Sequence, residues 1–292
     1  MHDTLLNIFI FVDDFCQTFE AHWNKILLDF KGENSRNRKP ELFLSEIMTI
    51  CLCFHLGHFK SFKAYYKFLE KYHKKEFPNL ISYSRFIELK SSCAVPLLVL
   101  FEIISAPCDG ESYIDATHLP ICHIKRGYIY KLFRGLARKS KSTMGWYIGF
   151  KLHMTVNKYG HPISFALTHA NCDDRKAPDN LFSKIFGKLF GDRGYIGRPF
   201  FERMKDKMIR VVTALKSNMK PQIMTSDESA KLNKRGIIES TFNSLKNNLN
   251  MQHTRHRSPE NFAVNIISSV CAFCLRFVTS LNLSEKNMLL IP

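Results

Sequence analysis

Ser112-Tyr113-Ile114-Asp115-Ala116-Thr117-His118-Leu119-Pro120 decides how this chain is read. Its β-branched and aromatic residues, following the turn signal Asp109-Gly110, mark a strand over Ser112 to Cys122. An aspartate inside such a run is costly unless it is solvated, paired or bound to a metal. Before this stretch the apolar spacing is helical. After it, strands and helices alternate.

Downstream, Trp146 to Val156 and Ile163 to Ala170 read as a hairpin pair around Lys158-Tyr159-Gly160-His161-Pro162. A helix is expected over Ala177 to Leu189, then a short strand ending at Asp192 in Phe190-Gly191-Asp192-Arg193-Gly194-Tyr195. A helix from Arg198 to Lys207, a strand from Ile209 to Leu215, a polar loop to about Asn233 and a helix from Arg235 to Leu249 complete the series. Three strands, helix, strand, helix, strand, loop, helix is the order of a ribonuclease H-like α/β fold, a mixed sheet with flanking helices. The apolar helix Pro259 to Leu281 is expected to cover one face of that sheet.

Upstream, residues 1–109 read as an all-α N-terminal domain, with helices near Thr4 to Leu28, Ser45 to His55, Ser61 to Tyr72 and Ser84 to Ile104. Serines stand where N-caps would serve three of them, and Gly57 and Pro78 interrupt the helices. The basic stretch Lys31 to Lys39 reads as a linker. Short helices carrying Lys60, Lys63, Lys67, Tyr65 and Tyr66 fit a helix-turn-helix DNA reader or a helical packing unit equally well. Residues 110–292 form the second domain.

Composition narrows the partners. The chain has 292 residues, 45% of them hydrophobic, and 42 Lys and Arg stand against 26 Asp and Glu, a formal charge of +16. Such a surface attracts a polyanion, and double-stranded DNA is the first partner to consider. The apolar stretches Cys93 to Ala106 and Phe262 to Leu281 carry charges or polar breaks, so no membrane association is expected. The N-terminus lacks the pattern of a secretory signal, and a cytoplasmic protein is expected. Nine cysteines scattered through apolar segments fit reduced core thiols. Cys51, Cys53, His55 and His58 lack tetrahedral zinc spacing, and Cys271 and Cys274 read as core.

Two-metal phosphoryl transfer needs several carboxylates converging on one point, and hard cations such as Mg2+ or Mn2+ want oxygen ligands. In the expected topology the strands of Asp115 and Asp192 are neighbours. Glu239, on the first turns of the next helix, supplies a third acid. Arg235, four residues before it, and Lys246, seven after, share its face and are placed to grip phosphate. Each acid also has a bland reading: Asp192 caps its turn, Glu239 pairs with Arg235, Asp115 accepts strand-edge hydrogen bonds. Between His123 and Ser142 lie Lys125, Arg126, Lys131, Arg134, Arg138, Lys139 and Lys141 with no acid, interleaved with Tyr128, Tyr130 and Phe133. This run reads as a loop tracking phosphates, with Arg193 beside Asp192 and the cluster His253, Arg255, His256 and Arg257 extending it. Asp173 and Asp174 read as helix caps.

Asp115-Ala-Thr-His-Leu-Pro120, Gly191-Asp-Arg-Gly-Tyr-Ile-Gly197 and the spacing Arg235, Glu239, Lys246 resemble the bacterial insertion-sequence transposases of the DDE superfamily. The closest likeness is to the group bearing a Tyr, Arg, Glu, Lys signature, and here Leu232 stands at the Tyr position. Thr168 to Arg175 resembles the turn before the first helix of the fold. The resemblance implies catalysis by Asp115, Asp192 and Glu239 as ligands of two divalent metal ions. It implies terminal inverted repeats as substrate, a metal-activated water freeing a 3′-hydroxyl that attacks target DNA, and a homodimer holding two ends. A nuclease of the same fold that only hydrolyses, or a copy that binds DNA without cutting, are the competing readings.

Overall fold

The computed structural model describes residues 2–31, 41–57, 59–127, 131–143, 145–214, 224–252 and 256–278. The linker read over 32–39, His58, Tyr128, Tyr130, His253, Arg255 and the end of the final helix beyond 278 lie outside them. The chain divides into two compact units, one helical and one built on a sheet from Ser105 to Asn247.

The helical unit holds α1 (His2–Lys31), α2 (Leu44–Leu56), α3 (Phe62–Tyr72), α4 (Tyr83–Leu89), α5 (Ala94–Ile104) and α9 (Pro259–Val278). Ser61 caps α3 through its hydroxyl, 3.2 Å from the Ala64 N–H. The cap of α4 is Ser82, two residues before the expected Ser84. Ser45 lies inside α2, whose start is instead tied by the Glu46 carboxylate accepting from the Phe43 N–H at 2.7 Å. The single helix expected over Ser84 to Ile104 is broken by a 3-10 turn at Lys90–Cys93. Pro96 explains the break, since its ring would clash with the carbonyl four residues earlier in a continuous helix and is tolerated in a first turn.

α9 corrects the expectation that it covers the sheet. It packs against α2 and α5 within the helical unit. The Cys271 thiol donates to the Leu97 carbonyl at 3.3 Å. The buried His55 ring hydrogen-bonds the Ser268 hydroxyl at 2.9 Å and the Leu249 carbonyl at 2.5 Å. By length and composition α9 passes for a membrane span, but most of it is buried inside the fold, which is how a helix apolar on every side is accommodated in a core.

The sheet unit contains β1 (Glu111–His123), β2 (Arg138–Ser142), β3 (Gly145–Val156), β4 (Pro162–His169), β5 (Gly187–Gly191) and β6 (Ile209–Thr213), with α6 (Arg198–Asp206), α7 (Ser226–Asn233) and α8 (Gly236–Asn243). The strand order is β2-β3-β1-β5-β6, with β4 also on β3. β3 runs antiparallel to β1, β2 and β4, while β1, β5 and β6 are parallel. β4 and β2 divide the outer edge of β3, β4 taking Phe150 to Val156 and β2 taking Gly145 to Gly149. This is the ribonuclease H-like mixed sheet that the order of elements called for. One core cluster joins Ile114, Ile163, Leu181, Phe182, Leu189, Tyr195, Phe200 and Met204.

Three expectations fail here. Residues 177–189 are not a helix: 3-10 turns at Asp174–Lys176 and Asp179–Phe182 lead into β5. Leu181, Phe182, Ile185 and Leu189 mimic helical spacing, yet Gly187 at φ +78° turns the chain so that the Lys188 N–H reaches the Gly110 carbonyl at 2.8 Å. Part of the basic run read as loop is β2, an edge strand without an apolar residue. The polar segment before Asn233 ends in α7, fixed by the reciprocal cap of Thr225 and Glu228 and by ion pairs from Glu228 to Lys188 (3.1 Å) and Arg210 (3.2 Å).

Candidate active site

Parallel pairing of β1 with β5 ends at Tyr113 opposite Phe190. Asp115 and Asp192 each lie two residues further on, so the register alone carries both carboxylates to one level at the sheet's edge. Asp192 follows the carboxyl end of β5, where open α/β sheets place ligands. Its Oδ1 accepts from the Gly194 N–H at 2.8 Å, capping a 3-10 turn over Arg193–Tyr195. Residue 194 must be small, because a Cβ there would sit 2.8 Å from that same oxygen. Asp115 Oδ1 accepts from the Ala116 N–H at 2.8 Å. Each aspartate thus spends one oxygen on backbone and keeps the other.

Burial raises the Asp115 carboxyl to about 6, and the negative charges of Asp192 and Asp174 push the same way against the Ala116 N–H and Arg235. A half-buried carboxylate whose ionisation neighbouring acids oppose is a place where a divalent cation would relieve repulsion. Hard oxygen donors of this kind suit Mg2+ or Mn2+. The pair Asp115 and Asp192 therefore fits the expected metal.

Glu239 is not gathered with them. It lies on the first turn of α8, well exposed, with Oε1 3.5 Å from Arg235 Nη2. Among the described residues no group of three acidic, histidine or cysteine side chains is set to hold a metal. The pairing read as the bland alternative for Glu239 is present in this structure, and the guanidinium engaged in it also acts on Asp115. Lys246 departs from the shared face: α8 gives way to a π-helical turn at Ser244–Asn248, so the 3.6-residue spacing is lost. Burial lowers its ammonium pKa, and its charge depresses His118 together with burial and Lys151.

The cleft beside Asp192 is lined by Gly191, Arg193, Leu232, Asn233, Arg235 and Gly236. Lys125 and Arg126 occupy an exposed turn after β1, Arg134 follows a second turn, and Arg138 and Lys139 lie on β2. Asp173 and Asp174, both expected as caps, differ. Asp173 caps its turn and binds Arg175, whereas Asp174 Oδ1 takes the Lys151 ammonium at 2.9 Å and its charge reaches Asp115, His118 and His153. Tyr195 was also missed. Its ring packs on Gly191, its hydroxyl is buried with no hydrogen-bond partner among the described residues, and Asp115, Asp174 and Asp192 all act on it. The signal was available, since the fifth residue of Gly-Asp-Arg-Gly-Tyr is aromatic in an otherwise polar turn.

No curated protein matches the chain. A family model described as a transposase DDE domain matches residues 105–259. That span exceeds half of the chain and starts where the sheet unit starts, at Ser105. The protein belongs to the DDE-domain transposases.

Proposed function

We propose that this transposase cuts DNA at transposon ends and joins those ends to target DNA, with Asp115, Asp192 and Glu239 as its acids. The observation that supports the reading is the β1–β5 register, since Asp115 and Asp192 each follow its last pair, Tyr113 and Phe190, by two residues. Two divalent ions bound there would activate the attacking oxygen and stabilise the leaving one. Asp115 and Asp192 would hold the cation from the sheet. Glu239 would complete the ligand set from α8 once a DNA phosphate drew Arg235 away from it, since that contact is long and exposed. Arg193, at the cleft, and Lys125, Arg126, Arg134, Arg138 and Lys139 bind the backbone, with Lys246 nearer His118. Two copies hold the two ends.

The test is strand cleavage of a labelled duplex carrying the DNA that flanks the gene, in Mg2+ or Mn2+, by wild type and Asp192→Asn. Nicking at the repeat boundary that chelator and the substitution both abolish supports the proposal. A second reading, a copy that binds without cutting, is favoured by Leu232 in the cleft and by Glu239 lying apart from the aspartates. Binding without nicking by the wild type would establish it.

A further inference from the structure

Between Asp115 and Asp173 the sequence contains no acidic residue, while nine lysines and arginines fall in that interval. Three of them, Arg138, Lys139 and Lys141, are exposed on the five-residue strand β2. β2 pairs antiparallel with β3, placing Lys141 opposite Trp146 and Lys139 opposite Ile148. Residues opposite one another in an antiparallel pair share a face, so both lysines and the indole stand on one side of the ribbon. Lys139 Nζ lies 4.4 Å from the Trp146 ring centre and Lys141 Nζ 5.9 Å. The indole is 47% exposed. A large aromatic ring left in water beside two ammonium groups that have no carboxylate partner among the described residues has the composition of a nucleic-acid contact, cations for phosphate and an apolar plate for sugar or base edges.

The ribbon's place in the sheet ties it to the catalytic residues. Asp115 is opposite Met154 on β3, and Trp146 lies eight residues earlier on the same strand. An even interval keeps Trp146 on the Asp115 side of the sheet. At roughly 3.3 Å per residue the separation along the strand is about 26 Å. Duplex DNA advances about 3.4 Å per base pair, so the same length spans about eight base pairs. We propose that the β2–β3 ribbon is a duplex-gripping site in which Lys139 and Lys141 take phosphates and Trp146 packs into the groove, about eight base pairs from the phosphate at Asp115. The distance rests on cleavage at Asp115 and Asp192; the grip itself does not. A two-stranded ribbon is also an element the major groove can admit.

The chain has two tryptophans, Trp23 and Trp146, so Trp23→Phe leaves Trp146 as the only one. This full-length variant is titrated with a labelled 30-base-pair duplex from the flanking DNA and with a scrambled duplex, following anisotropy and tryptophan emission together. The expected result is quenching and loss of acrylamide access that saturate with anisotropy for both duplexes. Lys139→Gln with Lys141→Gln should lower the slope of log affinity against log salt by about 2. Backbone protection mapped with Asp192→Asn should include a patch about eight base pairs from the boundary that wild type nicks, and the double variant should lose it. Anisotropy reporting binding while Trp146 emission, acrylamide access and the salt slope stay unchanged would overturn the ribbon and leave DNA as the partner. Failure of either duplex to bind at low salt would overturn both this site and the proposed function.

Discussion

Tyr113 and Phe190 stack across the parallel β1–β5 pair with ring centres 5.3 Å apart and planes 27° from parallel, and each precedes an acid of the site by two residues. The stack sits at the last pair of the β1–β5 register, two residues before Asp115 and Asp192. Tyr113→Ala should therefore loosen the site as well as the core. We expect a stability loss of about 3 kcal/mol in chemical denaturation. We also expect weaker Mg2+ binding in calorimetry of the protein that remains folded.

Asp192→Asn keeps the cap, because an amide oxygen accepts from Gly194 as a carboxylate does, but it removes the charge. Cleavage should fall by roughly 10²-fold or more with DNA affinity retained. Unchanged cleavage in a gel assay would dismiss Asp192 from the chemistry.

The raised Asp115 carboxyl gives a signed pH prediction for metal-free protein. Below pH ~4 the folded and unfolded chains both hold the proton, and Asp115 costs nothing. Between that point and about 6 the unfolded chain ionises first, so stability falls as pH rises, and above 6 the cost is full. In chelator, Asp115→Asn should melt a few degrees above wild type at pH 7.5, and the gap should close toward pH 4. Mg2+ should raise the wild-type melting temperature and leave the variant's unmoved.

Gly160 anchors α8. It adopts φ +82°, and a Cβ there would lie 3.0 Å from Thr241 Oγ1 and 3.1 Å from the Ile237 side chain. The Thr241 hydroxyl donates to the Gly160 carbonyl at 2.8 Å. Gly160→Ala should cost about 1 to 2 kcal/mol through the backbone alone. By displacing α8, which carries Glu239, it should also depress cleavage in the folded fraction. Thr241→Val, which removes the hydroxyl shared between the Gly160 and Ile237 carbonyls, should cost about 1 kcal/mol and affect cleavage less.

How much of this was legible in the sequence depended on what each segment buries. β1, β3 and β4 are largely buried runs rich in β-branched and aromatic residues, and they declare themselves by that composition. Asp192 announced its position through the flanking glycines. β2 could not be read, because Arg-Lys-Ser-Lys-Ser is a strand only through its ladder to β3. α7 was hidden for a related reason: it is a polar helix held by Glu228, a tertiary ion-pair centre that leaves no periodic mark. The apolar pattern of α9 showed that it is buried but not against what. The four-residue spacing of Arg235 and Glu239 offered both a shared phosphate-gripping face and a pairing with each other, and the pairing is what the structure holds.

Because α9 completes the core begun by α2 and α5, the helical unit is assembled from opposite ends of the chain with the sheet unit threaded between. On the ribosome, at roughly 5 to 20 residues per second, α9 emerges about 10 to 35 s after α5. During that interval the sheet unit can fold, while Leu97, Leu100 and Phe101 wait for a partner not yet made. Premature termination before residue 259 would leave a catalytic sheet tethered to an unfinished, sticky bundle, so a truncated product should be cleared or aggregate rather than act on DNA.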